Sequence, residues 1–199
     1  MSSAEALRKT LAPHAASLVR LARASIRAGL TTGRPLAVAP DDHHPDLRRK
    51  AASFVTLHID SELRGCIGSL DAGAALVEDV ARNAFLAAFE DPRFEPLAVH
   101  EAPRLDVEIS VLGTPEPLPF ASEAELCDIL RPGVDGLIVE ASGRRGVFLP
   151  QVWESLPEPD DFLAHLKAKV GLGNVPLGTG TRAQRFSVVT LAEPAAAPT

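Results

Sequence analysis

The sequence has few of the residues on which several kinds of protein depend. Its 199 residues include two cysteines, Cys66 and Cys127, which are too few for a disulfide framework or a zinc knuckle and favour a reducing compartment. No apolar run approaches the ~18 residues that a membrane-spanning helix requires. These absences argue against a disulfide-stabilised secreted module and against a membrane protein, so the expected location is the cytoplasm.

Excess positive charge is also lacking. The formal net charge is -6, lysine and arginine form no extended stripe, and aromatic residues make up 5% of the chain. Nonspecific binding of nucleic acid depends on neutralising phosphates, so this composition argues against it. Specific contact with one folded RNA stays open as the weakest functional alternative.

The first thirty residues contain arginine and serine and almost no acids, a composition that transit peptides share. Their apolar residues nevertheless recur at helical spacing, which favours a helix packed on the domain. The residues on this stripe are Leu18, Leu21, Ala22, Ser25 and Ile26.

Hydrophobic periodicity and turn residues predict helices and strands that do not alternate regularly. Strands are predicted over residues 54–59, 63–70, 105–111, 136–141, 146–152 and 185–191. Helices are predicted over two N-terminal segments separated near Pro13 and over residues 74–90, 122–131 and 160–170. The pattern favours an α+β fold with mixed or antiparallel sheets and helices on one face. We expect one domain over residues 1–192, made of two intimately packed subdomains, and a disordered tail over residues 193–199.

The segment LRGCIG (Leu63–Gly68) is the candidate functional centre. Arg64 and Cys66 share one face of the predicted strand because side chains alternate. If residues 60–62 form a three-residue loop, His58 joins that face within side-chain reach of Cys66, whereas a two-residue loop would shift the register and mix the faces. The three-residue loop predicts the pairs Ile59 with Leu63, Leu57 with Gly65, and Val55 with Ile67.

Two interpretations of this strand compete. A thiol near a cationic side chain loses its proton more easily, and Gly65 and Gly68 leave room for a ligand to approach the backbone. Alternatively, the glycines mark a bulge or a tight crossing and Cys66 is a small buried hydrophobe. The local sequence does not decide between them.

Several segments in a fixed order resemble the AMMECR domain family, whose bacterial members are called protein A of the AmmeMemoRadiSam system. The resemblance covers about residues 5–192 and is carried by FVTLHIDSELRGCIGSL, FEDPRFEPL, EISVL, DGLIVE, FLPQVWE and FLAHLKAKVGL. It implies an α+β fold of two unequal, packed subdomains and an association with Memo-like and radical-SAM proteins. It implies no particular reaction. Lys169 matches the family's late lysine, but GNVPLGTGTRAQRF (173–186) replaces an expected tryptophan-containing segment.

Other polar residues have two interpretations each. Asp91 and Arg93, on either side of Pro92, either bind a ligand or tie down their loop by a salt bridge. Glu108 either orients Arg64 or His58, an interpretation that the family correspondence favours slightly, or faces water. Gln151 either offers its amide to a ligand or satisfies a loop.

Four residues have simpler interpretations. Cys127 and Trp153 are expected in the core. His43 and His44 lie in a loop rich in helix breakers, and they have no carboxylate or cysteine partner at ligand spacing. A solvated loop is therefore favoured over a metal site. We predict no metal and no cofactor.

Two hypotheses of function follow from these residues. In the first, Cys66 is a nucleophilic or redox-active thiol, Arg64 stabilises its anion, His58 is the acid or base, and Glu108 or Asp91 orients them. In the second, the chain is a noncatalytic binding or scaffold subunit for a small anionic ligand, a modified nucleotide or a partner protein. There the charge would come from Arg64, Arg93 and Lys169, and Cys66 would contribute shape only.

Overall fold

The computed structural model describes residues 3–173, 175–177 and 180–192, and it divides the chain into two units. Unit 2 is Gly113–Val188, and unit 1 contains the described residues on either side of that range. Both units combine helices with a four-stranded sheet, which confirms the α+β prediction. The predicted tail over residues 193–199 lies outside the described part of the chain.

The elements follow in chain order. The helices are α1 (Ser3–Leu11), α2 (Ala15–Thr32), α3 (Pro45–Arg48), α4 (Leu76–Phe89), α5 (Glu123–Ile129) and α6 (Pro159–Lys169). The strands are β1 (Ser53–Ile59), β2 (Glu62–Gly68), β3 (Leu105–Leu112), β4 (Glu116–Pro117), β5 (Gly136–Ala141), β6 (Arg144–Phe148), β7 (Arg182–Phe186) and β8 (Val188–Ala192). Short 3₁₀ turns occupy Ala12–His14, Pro40–Asp42, Ala102–Arg104 and Pro150–Glu154. Within the described ranges, no helix is both long and apolar enough to cross a bilayer.

The sheet of unit 1 has the strand order β2-β1-β3-β8, and its apolar face packs against α2 and α4. Alternation along the strands puts Val55, Leu57, Val107 and Ile109 into this core. The helical stripe predicted near the N-terminus is buried in α2, as expected. The opposite face of the sheet is polar and contains Cys66, so the core fixes which side of β2 the thiol occupies.

The hairpin between β1 and β2 differs from the prediction at its turn. Asp60 and Ser61 both have positive φ, of 53° and 69°, and form a two-residue turn of the kind that matches strand twist. Ile59 therefore pairs with Glu62, so the predicted pairing of Ile59 with Leu63 is wrong. An irregularity after Leu57 then restores the predicted register.

That irregularity is a β-bulge with Arg64 as the extra residue of β2. His58 pairs with Leu63, whereas Leu57, the residue before His58, pairs with Gly65. The predicted pairs Leu57 with Gly65 and Val55 with Ile67 are confirmed. A two-residue turn thus does not mix the faces, because the bulge absorbs the shift and redirects one side chain.

The sheet of unit 2 has the strand order β4-β7-β5-β6, and α5 and α6 contribute to its core. Trp153 is buried, stacks on Phe162 with ring centroids 3.7 Å apart, and donates a 2.7 Å hydrogen bond to the carbonyl oxygen of Asp135. Cys127 is buried in the same core, where desolvation raises its pKa to about 12. Both residues are core residues, as the sequence predicts.

The boundaries of two predicted strands, 146–152 and 185–191, are wrong. The hairpin turn uses only Ser142 and Gly143, both with positive φ, and β6 ends before Pro150, which starts a 3₁₀ turn instead of continuing the strand. The predicted last strand is two strands, β7 and β8, which lie in different sheets and are separated by Ser187. Neither glycine nor proline interrupts residues 182–192, so the sequence has no breaker that marks this change of sheet.

Candidate functional site

Cys66 lies on the polar face of the unit 1 sheet and is half-buried. It pairs directly with Thr56 on β1, whose hydroxyl donates a 3.3 Å hydrogen bond to the sulfur atom. Thr56 in turn pairs with Glu108 on β3. Cysteine, threonine and glutamate therefore form one row across three adjacent strands. We call these three residues the thiol row.

The backbone of Cys66 is held by Asp91 and Arg93, which follow the end of α4. The Asp91 carboxylate accepts a 2.9 Å hydrogen bond from the Cys66 N–H, and Arg93 Nη2 donates a 3.3 Å hydrogen bond to the Cys66 carbonyl oxygen. Arg93 also donates to Asp91 through Nε at 2.9 Å and Nη2 at 2.7 Å. We call this pair the Asp91–Arg93 clamp.

The charges of the clamp reinforce one another. Asp91 is almost fully buried, and its hydrogen bonds with the Arg93 side chain hold its pKa well below the usual range despite the opposing effect of burial. The hydrogen bond with Asp91, and the negative charge of that carboxylate, raise the pKa of Arg93. The pair thus ties the loop down, one of its two predicted roles, and it also brings a permanent cation to the cysteine.

The Arg64 side chain contacts other residues in this structure instead of the Cys66 thiol. Its guanidinium forms a two-point salt bridge with Glu101, at 2.8 and 3.0 Å, and donates to the carbonyl oxygen of Glu95. Hydrogen bonding from Arg64 lowers the pKa of Glu101 to about 2. The bulge redirects Arg64 toward this carboxylate. The sequence offered no signal for Glu101, because it lies far along the chain.

His58 and Glu108 also differ from the arrangement expected for them. His58 pairs with Leu63 on one side and Asp106 on the other, and among the described residues it makes no hydrogen bond with Cys66. Glu108 likewise makes no hydrogen bond with Arg64 or His58 in the described part of the chain. Its link to the cysteine is its place in the thiol row.

Packing accounts for both glycines of β2. A Cβ atom at Gly65 would overlap the carbonyl oxygen of Ala87, so the glycine allows α4 to cross close to the strand. A Cβ atom at Gly68 would overlap the ring of Phe54. The tight-crossing interpretation therefore explains these residues without a ligand, and their predicted role in ligand binding stays a prediction.

The other two predicted ligand residues lie in unit 2. Gln151 is exposed in the 3₁₀ turn Pro150–Glu154. Lys169 donates a 3.0 Å hydrogen bond from Nζ to the carbonyl oxygen of Val147, and its ammonium lies 5.2 Å from the ring centroid of Phe148. Their predicted roles in ligand binding stay predictions.

The family model described as AMMECR1 matches residues 19–191, which include β1 to β3, the clamp and nearly all of β8. The chain belongs to the AMMECR1 family. The match also includes the thiol row, so the row lies within the AMMECR1 domain.

Several relatives of this chain are archaeal proteins. A protein of Methanothermobacter thermautotrophicus is 40% identical over 161 residues, covering 78% of this chain and 81% of its own length. Protein MJ0810 of Methanocaldococcus jannaschii is 36% identical and covers 84% of each chain. The crystal structure of the uncharacterized protein PH0010 from Pyrococcus horikoshii superposes with a TM-score of 0.76 at 36% identity, covering 87% of this chain and 88% of that one.

Proposed function

We propose that this AMMECR1-family chain is a component of the AmmeMemoRadiSam system, acting with Memo-like and radical-SAM proteins, and that Cys66 is its reacting thiol. One observation supports the role of Cys66. Its thiol is half-buried, and its backbone N–H and carbonyl oxygen both make hydrogen bonds with the Asp91–Arg93 clamp. A nucleophile held on a rigid strand stays in position for attack.

The thiol row supplies the chemistry in this proposal. Thiolate is the reactive form of cysteine, and the hydrogen bond from the Thr56 hydroxyl stabilises negative charge on sulfur. Arg93 contributes positive charge at the same residue. Glu108, which pairs with Thr56 on β3, is the proposed acceptor of the thiol proton. In this proposal Arg93 takes the role that the sequence predicted for Arg64, and Glu108 takes the role predicted for His58.

Alkylation by iodoacetamide, followed by intact-protein mass spectrometry at pH 7, tests the thiol. Cys66 is expected to react faster than a free thiol such as glutathione. Cys127 is an internal control that stays unmodified in the folded protein, because it is buried with a raised pKa. Thr56→Val and Glu108→Gln are expected to slow the reaction of Cys66, whereas Ser110→Ala, a change elsewhere on β3, leaves the rate unchanged.

A rate for Cys66 no faster than that of glutathione would contradict the proposed nucleophile. The role in the system has a separate test, in which the chain is co-expressed with the Memo-like and radical-SAM proteins of the same genome. We expect co-purification, and we expect Cys66→Ala to abolish turnover by the reconstituted three-protein system. Full turnover with Cys66→Ala would remove the catalytic role while leaving the association intact.

A noncatalytic anion-binding subunit is the second candidate, favoured by the two arginines near Cys66. Arg64 and Arg93 lie over the ring of Phe94, with guanidinium carbons 5.9 and 5.5 Å from its centroid. Arg64 Nη1 is buried and has no hydrogen-bond acceptor among the described residues. If this candidate is right, inorganic phosphate raises the Tm of the wild type but not that of Arg93→Gln, and iodoacetamide modifies Cys66 no faster than glutathione.

A further inference from the structure

Three metal-ligating side chains converge in unit 1, on segments that are distant in sequence. His14 ends the 3₁₀ turn Ala12–His14, His44 precedes α3, and Asp46 is the second residue of α3. His14 Nε2 lies 3.3 Å from Asp46 Oδ2, and His44 Nδ1 lies 3.4 Å from the same oxygen. The three ligand atoms all lie within 4.8 Å of one another.

A backbone contact holds the His44 ring beside Asp46. Its Nδ1 accepts a hydrogen bond from the Asp46 backbone N–H at 3.3 Å and lies 3.4 Å from Asp46 Oδ2. A ring nitrogen that accepts a hydrogen bond has one lone pair, so a metal ion bound at Nδ1 would replace that N–H as its partner.

We propose that His14, His44 and Asp46 form a binding site for a divalent transition-metal ion, with zinc as the best fit. Two imidazole nitrogens and one carboxylate oxygen are a ligand set that zinc commonly takes. Zinc ligands at about 2.0–2.1 Å in tetrahedral geometry are separated from one another by about 3.3 Å. The two separations from Asp46 Oδ2, 3.3 Å to His14 Nε2 and 3.4 Å to His44 Nδ1, match that distance between ligands.

The rings are positioned before any ion binds. The centroids of His14 and His44 lie 4.4 Å apart with an interplanar angle of 36°, so each ring limits the rotation of the other. Pro45 restricts the backbone of His44, the residue before it. Little side-chain freedom is therefore lost when the ion binds, which favours affinity.

The fourth position of a tetrahedral ion here faces solvent. The exposed fraction of the side chain is 17% for His14, 40% for Asp46 and 54% for His44, so an ion can enter from water and keep a water ligand. Three protein ligands with one open position are the pattern of zinc sites that activate water or bind an external ligand, whereas structural sites are closed. The chemical class of ligand expected at the open position is a small anion or water.

The proposed site is separate from the thiol row and does not depend on it. Its ligands do not include Cys66, and His14 lies before residue 19, where the match to the AMMECR1 family model begins. Spacing along the chain indicated no partner for the adjacent histidines. Asp46 follows within two residues but is separated by a proline, and His14 comes near only through the fold.

Metal binding by the full chain tests the proposal, after removal of any affinity tag and of bound metal with EDTA. Titration with CoCl2 is expected to produce visible d–d absorption that saturates at one equivalent and is displaced by ZnCl2. Calorimetry with ZnCl2 then measures affinity. His14→Ala and Asp46→Asn are expected to weaken zinc binding by at least about 100-fold, since loss of outer-shell partners alone costs about 10–100-fold.

Two matched variants localise the site. His43→Ala removes the neighbouring histidine that the cluster does not use, and Cys66→Ser removes the half-buried thiol; both are expected to bind zinc like the wild type. Zinc should raise the Tm of these variants but not that of His14→Ala. If circular dichroism shows that His14→Ala is unfolded without metal, His14→Gln replaces it.

Absence of saturable zinc and cobalt binding to the wild type would overturn the proposal. So would stoichiometric binding that survives the loss of His14, or binding that is lost in His43→Ala or Cys66→Ser. Saturation by iron(II) with no response to zinc would also refute the zinc assignment, because the same ligand types serve non-haem iron.

Discussion

Replacing Asp91 by alanine removes one half of the Asp91–Arg93 clamp and gives a measurable loss of stability. The carboxylate accepts hydrogen bonds from two backbone N–H groups, at 2.9 Å from Cys66 and 3.1 Å from Arg93. A hydrogen bond to a charged acceptor contributes roughly 1.5–3 kcal/mol. The free energy of unfolding should therefore depend strongly on this one side chain.

The ion pair itself contributes less than the backbone hydrogen bonds. The Arg93 side chain is 54% exposed, so its guanidinium regains water when the carboxylate is removed. An exposed pair contributes about 0–1 kcal/mol. We therefore expect Asp91→Ala to lower the free energy of unfolding by about 3 kcal/mol, a large share of the roughly 5–15 kcal/mol of a typical domain.

Urea unfolding followed by far-UV circular dichroism measures this loss, and hydrogen exchange of the Cys66 amide reports it locally. That amide should exchange much faster in Asp91→Ala, because its acceptor is gone. Asp106→Ala, which removes an exposed acid from β3, is the matched control and should change stability by no more than about 0.5 kcal/mol.

The pH dependence gives an independent test of the same contact. The folded pKa of Asp91 lies well below the unfolded value of about 3.9, so its contribution is fully present above that value and is lost as pH falls toward the folded pKa. The difference between wild type and Asp91→Ala should be constant from about pH 8 to 5 and shrink below about pH 4. A loss under about 1 kcal/mol at pH 7, or a difference that widens in acid, would refute the reasoning.

Two further stability changes follow from close packing. Gly65→Ala should cost about 3 kcal/mol in urea unfolding because its Cβ would meet the backbone of Ala87, whereas Gly73→Ala, with open space around it, should be nearly neutral; equal effects would contradict the tight crossing. Trp153→Phe should cost about 1–3 kcal/mol by the same measurement, because the carbonyl oxygen of Asp135 loses its 2.7 Å hydrogen bond, and an unchanged stability would contradict that role.

Alternation and helical periodicity predicted most of the fold, because burial enforces them residue by residue. The apolar rows of β1 and β2 were correct even where the turn was not, since a register that moved Val55 and Leu57 into water would lose the core. The turn at Asp60 and Ser61 was missed because non-glycine residues with positive φ leave little trace in sequence. The separation of β7 from β8 at Ser187 was missed because no glycine or proline marks the change of sheet.

The candidate site was predictable as a location and less so as a set of contacts. Cys66 and Asp91 were both identified, but the partner of Arg64 was not, because one bulged residue decides where that side chain points. Tertiary contacts such as that of Arg64 with Glu101 depend on three-dimensional proximity, which periodicity does not encode. The same limit applies to His14, whose neighbours come from a different segment.

The insertion of unit 2 between β3 and β8 has a consequence for biosynthesis. The ribosome completes all of unit 2 before it delivers β8, the edge strand that lies beside β3. During that interval the β3 edge has unpaired backbone groups that other chains can join. Unit 1 lacks its fourth strand throughout that interval, so the nascent chain is prone to aggregate through the β3 edge until β8 emerges.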